Sequence, residues 1–188
     1  MRRVILGSLV SALLSACGSS LPGRYVIEHD LGAYAFRRYQ KSYDIEIPVA
    51  GNQATAHTAA YLQRTAADQV EVVTAFVAVY QKAKSLAAEA RAALATLGGY
   101  ELEPAELYGE HVWLLTGPSE QWCVWVSNNR LVKIGAPAQL AFPETIVAAY
   151  ADLYPSDLDQ YGNARRDAPS AGETRAAQTQ QDPEPKLR

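Results

Sequence analysis

The feature that most constrains the fold is a long stretch, residues 52–97, that contains neither glycine nor proline. Fifteen of its residues are Ala, which has the highest intrinsic helix propensity. Its apolar residues recur at three- and four-residue spacing over about five heptads, and Gly98-Gly99 then provides a helix stop. This pattern predicts helix throughout the stretch.

The length of that helix leaves two alternatives. As one helix, residues 55–97 would be about 65 Å long, whereas a compact domain of this size has a radius of gyration of about 15 Å. The helix either projects and pairs with a partner, or breaks and folds back as a helical hairpin. The break, or a strand, would fall in residues 70–80, which are rich in β-branched side chains. We expect a hairpin, with Phe76 and Tyr80 in the domain's own core.

Strand patterns lie on both sides of the Ala-rich stretch. Residues 42–49 alternate apolar and polar side chains, which predicts a half-buried strand, and residues 33–39 are its candidate hairpin partner. After the stretch, residues 111–116, 121–127 and 131–134 predict a three-stranded meander. Its second turn, Asn128-Asn129, suits left-handed backbone.

The C-terminal part begins with a short helix. Pro143 opens it, because a proline at the first helical position loses no intrahelical hydrogen bond, and Pro155 ends it. Residues 163–188 contain no aromatic residue and few apolar ones, so they predict a disordered tail. The predicted class is therefore α+β: N-terminal strands and the meander form a small antiparallel sheet packed on a long Ala-rich helix or helical hairpin and a short C-terminal helix. Residues 25–162 form this single domain.

The N-terminus has the pattern of an export signal. Two arginines, Arg2 and Arg3, precede an apolar run at residues 4–14, and small residues follow before Cys17. The run is too short for a transmembrane helix, which needs roughly twenty residues. Leu14-Ser15-Ala16-Cys17 resembles the lipobox of bacterial lipoproteins, a resemblance that covers about the first seventeen residues.

The resemblance implies a mature, lipid-anchored protein. Residues 1–16 would be removed, Cys17 would carry acyl chains and hold the protein on a membrane, and residues 17–24 would be a short tether. The residue after Cys17 is Gly18 rather than the Asp linked to inner-membrane retention in enteric bacteria. In a cell with two membranes, this implies the outer membrane, facing the periplasm.

Charge and cysteine content exclude other classes. Loss of Arg2 and Arg3 from the 17 Lys and Arg leaves 15 against 20 Asp and Glu, a net charge of −5. Without a concentrated basic footprint, we expect no nucleic-acid partner. With Cys17 acylated, Cys123 is the only thiol of the mature chain and is expected in the core.

No catalytic or metal-binding motif stands out, and we expect neither a cofactor nor a resident metal. The weak ligand candidates are Glu28, His29 and Asp30, with His57 and His111 as distant partners. Two function classes follow. The first is a non-catalytic envelope component that binds or braces an envelope protein through a sheet edge or the long helix. The second is a periplasmic enzyme, or a small-ligand or glycan-binding module, with its site between sheet and helices. The missing catalytic motif favours the first.

Overall fold

A computed structural model describes residues 22–43, 45–64 and 70–165. Cys17 and residues 166–188 of the predicted tail lie outside this part of the chain. The strands are β1 (Ala35–Ser42), β2 (Ala54–Arg64), β3 (Val70–Tyr80), β4 (Glu101–Leu107), β5 (Glu110–Thr116), β6 (Glu120–Ser127) and β7 (Arg130–Pro137). The helices are α1 (Leu86–Leu94) and α2 (Glu144–Leu153). The strands form one sheet in the order β1-β2-β3-β7-β6-β5-β4, and every neighbouring pair is antiparallel.

The prediction of a long helix or helical hairpin is wrong, and so is the α+β arrangement built on it. Most of the Ala-rich stretch is the β2–β3 hairpin, and only its end forms α1. In β2, Ala56 and Ala59 point to opposite faces and both are fully buried. A strand that is covered on both faces reads as a nearly continuous apolar run, and its packing in the sheet overrides the helix propensity of Ala.

The N-terminal strands differ from the prediction in two respects. β1 overlaps the expected partner strand at residues 33–39, but it pairs with β2. Residues 45–52 lie in no named strand, apart from an isolated bridge between Val49 and Asn52. Ile47 and Val49 are buried, and Tyr80 Oη donates to the Ile47 carbonyl at 2.6 Å. The alternating pattern therefore reflects a loop packed on the sheet.

The meander is present at its predicted position as β5, β6 and β7, preceded by β4. Asn128 adopts the left-handed conformation expected for its turn, with φ of 56°. The terminal helix α2 follows Pro143, which occupies the N-cap. No helix among the described residues is long and apolar enough to cross a membrane.

One face of the sheet packs on α2. Side chains directly opposite each other on neighbouring antiparallel strands share a face, which places Trp125, Val132 and Val77 together. Trp125 Nε1 donates to the Tyr154 carbonyl just after α2, at 2.7 Å. Tyr61 lies on this face too, and its hydroxyl is 2.9 Å from that of Tyr150 in α2. We call this the α2 face.

The other face packs on α1 and the last described segment. Trp113, Val124 and Lys133 share this face with Phe76 of β3. Trp113 Nε1 donates to the Gly162 carbonyl at 3.0 Å. We call this the α1 face. Near its rim, Arg91 of α1 donates to Asn163 Oδ1 at 3.0 Å, so the predicted tail is attached to the domain at its first residue.

Candidate functional site

The candidates Glu28, His29 and Asp30 are engaged in local contacts. Glu28 forms an ion pair with Arg24 at 3.1 Å. Asp30 Oδ1 accepts the Phe36 backbone N–H at 2.8 Å, which ties the N-terminal segment to β1. His29 Nδ1 lies 2.9 Å from the Asp30 carbonyl oxygen. These residues therefore organise the entry of the chain into the sheet.

The other two histidines lie on different strands. His57 is on the α2 face of β2, where only 7% of its surface is exposed, and its Nδ1 is 3.0 Å from Tyr39 Oη. Burial, with the nearby charge of Lys41, lowers the pKa of His57. His111 is the second residue of β5, and its carbonyl accepts a hydrogen bond from the hydroxyl of Ser156 at 2.6 Å. Within the described ranges, no group of three or more His, Cys, Asp or Glu could hold a metal ion.

Cys123 is fully buried in β6, which confirms the expected core position. Burial raises the pKa of its thiol. Because the thiolate is the nucleophilic form of cysteine, this environment opposes nucleophilic chemistry.

A buried cation that the sequence analysis missed lies on the α1 face. Lys133 is 5% exposed, its Nζ pairs with Glu46, and it lies 4.0 Å from the Trp122 ring centroid. The ring of Tyr100 also contacts Trp122, with 4.7 Å between the two ring centroids. The Tyr100 hydroxyl donates a hydrogen bond to Glu120. That hydrogen bond raises the pKa of Tyr100 to about 12 and lowers the pKa of Glu120.

The Lys133 pair fixes a loop to the sheet. Glu46 comes from residues 45–52 and is half exposed, whereas Lys133 is buried, so removing the Glu46 carboxylate would leave a buried charge without its counter-ion. The lysine stands in an otherwise apolar run, Leu131-Val132-Lys133-Ile134, and this was the signal that could have identified it. Its partner lies 87 positions away in sequence, so the pair itself could not be predicted.

Two open cavities lie beside the helices. The larger, about 950 Å³, separates the start of α1 from the end of β6. It is lined by residues 83–88, Val126, Asn128, Asp157, Ala164 and Arg165. The smaller, about 400 Å³, lies between the N-terminal segment and α2 and has a mostly apolar lining. Glu28 and His29 are among its polar lining residues, together with Asp152.

The most distinctive surfaces lie along the two outer strands of the sheet that the described residues form. The basic edge is β1, with exposed Arg37, Arg38 and Lys41. The acidic edge is β4, with exposed Glu101, Glu103 and Glu106. Six strand-to-strand steps of about 4.8 Å separate them, roughly 29 Å in all.

The residues around each edge have the same sign of net charge as the edge itself. Residues 22–43 contain four basic and two acidic side chains, a net charge of +2. Residues 100–110 contain four acidic and no basic side chains, a net charge of −4. A tyrosine is exposed near each edge: Tyr43 at 76% and Tyr108 at 46%. The domain therefore presents two surfaces suited to partners of opposite charge.

Comparisons with protein-family models, curated proteins and solved structures find no match to this chain.

Proposed function

We propose that the protein is a bacterial envelope lipoprotein whose folded domain is a non-catalytic binding component acting close to the membrane. Residues 1–16 are removed, and Cys17 carries the acyl chains. The support is the charged, apolar and small-residue order of residues 1–16 and the Leu14-Ser15-Ala16-Cys17 motif. Two or more acyl chains anchor stably, because each buried methylene contributes about 0.8 kcal/mol and a single chain is marginal.

The observation that carries the binding role is the opposite charge of the two outer strands of the sheet, β1 and β4. The exposed carboxylates of Glu101, Glu103 and Glu106 offer a partner charged hydrogen-bond acceptors along one strand. The acidic edge is the protein-binding surface in this proposal, and its partner is an envelope protein with a basic surface. Electrostatic complementarity selects that partner and speeds its encounter. The long-helix alternative has no place in this fold, since β2 and β3 occupy that stretch.

The anchor is tested by Cys17→Ala. We expect the variant to lose labelled palmitate and to leave the detergent phase, because neither cleavage at the lipobox nor acylation can proceed without the thiol. Metabolic labelling and detergent partitioning of the full-length protein measure this. Cys123→Ala is the matched control and should label like the wild type. Equal palmitate incorporation by Cys17→Ala would contradict the lipoprotein proposal.

The binding surface is tested by replacing Glu101, Glu103 and Glu106 together with Gln. The replacement keeps side-chain size and removes three charges, so we expect chemically cross-linked partners recovered with the protein to fall at least tenfold. The matched control replaces Arg37, Arg38 and Lys41 with Gln and should retain those partners after detergent extraction. Undiminished recovery with the acidic-edge variant would rule out this surface as the binding site.

The larger cavity favours a second candidate, a small-ligand or glycan-binding module. It lies between the sheet and α1, where such a site was expected. The test measures the melting temperature with envelope glycan fragments for the wild type and for Ala88→Trp, whose larger side chain would fill the cavity. An increase in the wild type but not in the variant would favour this candidate.

A further inference from the structure

The N-terminal segment enters the fold beside the basic edge. Arg24 Cζ lies 4.8 Å from the ring centroid of Tyr39 in β1. The next ring, Tyr25, is centred 5.0 Å from the ring of His57 in β2. The Tyr25 backbone N–H donates to the Pro22 carbonyl at 3.0 Å. Pro22, the first described residue, therefore lies over the α2 face near β1, and it lines a cavity with Asp152 and Leu153 of α2.

The proposed anchor limits how far the membrane can be from this point. Only five residues lead from Cys17 to Pro22, and fully extended they reach about 17 Å. The acidic edge is roughly 29 Å from the basic edge across the sheet. The tether therefore brings the membrane within reach of β1 before β4.

We propose that the basic edge is a docking surface for anionic phospholipid headgroups, and that it orients the tethered domain with the acidic edge pointing away from the membrane. This inference rests on the lipid anchor of the proposed function. Each Lys or Arg near an anionic membrane surface strengthens binding roughly fivefold. Three exposed basic residues on one edge therefore favour the docked orientation about a hundredfold.

An exposed aromatic side chain extends the same surface. Tyr43 follows β1, and Lys41 Nζ lies 5.3 Å from its ring centroid. Tyrosine is enriched at the headgroup level of membranes, where its apolar ring and polar hydroxyl both find suitable surroundings. The two acidic residues of the N-terminal segment are already used: Glu28 pairs with Arg24 and Asp30 accepts a backbone N–H.

A second copy of the chain is the competing occupant, because β1 and β4 are complementary in charge. The strands themselves oppose this pairing. The register of β1 shifts between Phe36 and Arg38, and Pro104 in β4 has no N–H to donate. Charged side chains, bulges and prolines are the features that keep sheet edges from pairing. Docking on the membrane accounts for the tether entering the fold beside β1, whereas pairing with a second copy does not.

The test uses the full-length lipidated protein in vesicles of phosphatidylcholine, with or without phosphatidylglycerol. A fluorophore is attached at Gln40→Cys in β1 or, as the matched site, at Glu103→Cys in β4. Cys123 is buried and stays unlabelled. Spin-labelled headgroups then report proximity. We expect quenching at position 40 to increase severalfold with phosphatidylglycerol, and quenching at position 103 to stay low in both vesicles.

Charge variants show which residues are responsible. Replacing Arg37, Arg38 and Lys41 with Gln should remove the phosphatidylglycerol dependence at position 40. Replacing Glu101 and Glu106 with Gln should leave it intact. Equal quenching in the two vesicle types, on protein whose acylation is verified by mass spectrometry, would overturn the docking inference and leave the proposed function standing.

Two other outcomes would also overturn the inference. Absence of acylation would remove the proposed function together with it. Concentration-dependent association without vesicles, lost in both the basic-edge and the acidic-edge variants, would assign the basic edge to a second copy of the chain.

Discussion

We expect Phe76→Ala to lower the free energy of unfolding by about 3–5 kcal/mol. Phe76 lies in β3, an interior strand of the sheet, with 2% of its surface exposed. Its ring packs near the buried Lys133, whose Nζ is 5.6 Å from the ring centroid. The substitution leaves a cavity and loosens the surroundings of a buried charge. Urea unfolding followed by circular dichroism measures the change.

The matched control is Val72→Ala on the same face of the same strand, where 45% of the side chain is exposed. It should cost less than about 1 kcal/mol, since little buried surface is lost. The sedimentation coefficient should be unchanged in both variants, because neither side chain is needed for association in this fold. A loss of oligomer with unchanged unfolding would instead restore the projecting helix and contradict the sheet.

We expect Gly162→Ala to lower the free energy of unfolding by about 2–5 kcal/mol. Gly162 has φ of +71°, and a Cβ there would lie 2.5 Å from Trp113 Nε1. Left-handed backbone costs a residue with a Cβ about 1–2 kcal/mol, and overpacking a filled core adds about 1–3 kcal/mol. The new methyl group would also displace the Trp113 indole from the Gly162 carbonyl. Thermal unfolding, with Trp fluorescence as the probe, measures both effects.

Gly51→Ala separates the two costs. Gly51 has a similar φ of +69°, but no atom lies within 4 Å of the position its Cβ would take. It should show only the backbone cost of about 1–2 kcal/mol. If Gly51→Ala and Gly162→Ala lost equal stability, the close approach to Trp113 would have no energetic role.

The Ala-rich stretch shows why local propensity was misleading. The high Ala content favoured a helix, but the packing of other elements on both faces of β2 decided the structure of this stretch. Tyr61 reaches Tyr150 in α2, 89 positions later, and that contact cannot be read from spacing. The β-branched residues 70–80 did mark a strand, and residues 86–94 did form a helix. The sequence pattern alone could not indicate where the two-residue period of the strands ends and the 3.6-residue period of the helix begins.

Other parts were predictable because their signals are local. The meander has short turns with residues suited to left-handed backbone, and Pro143 fixes the start of α2 without help from distant contacts. The candidate surfaces were not predictable in this way. Arg37, Arg38 and the glutamates of β4 are visible in the sequence, but their opposition across the sheet depends on the strand order.

That strand order also has a consequence for how the chain folds after synthesis. β1–β3 and β4–β7 are each built from neighbours in sequence, and the pairing of β3 with β7 joins these two halves of the sheet, from Thr74 opposite Gly135 to Val79 opposite Arg130. Contacts of such long sequence separation form slowly, because the chain loses loop-closure entropy before these contacts can stabilise it. Until β7 arrives, residues 72–80 form an uncharged, strongly β-prone edge open to other chains. The same strand that holds the finished sheet together is thus the segment most exposed to aggregation before the halves join.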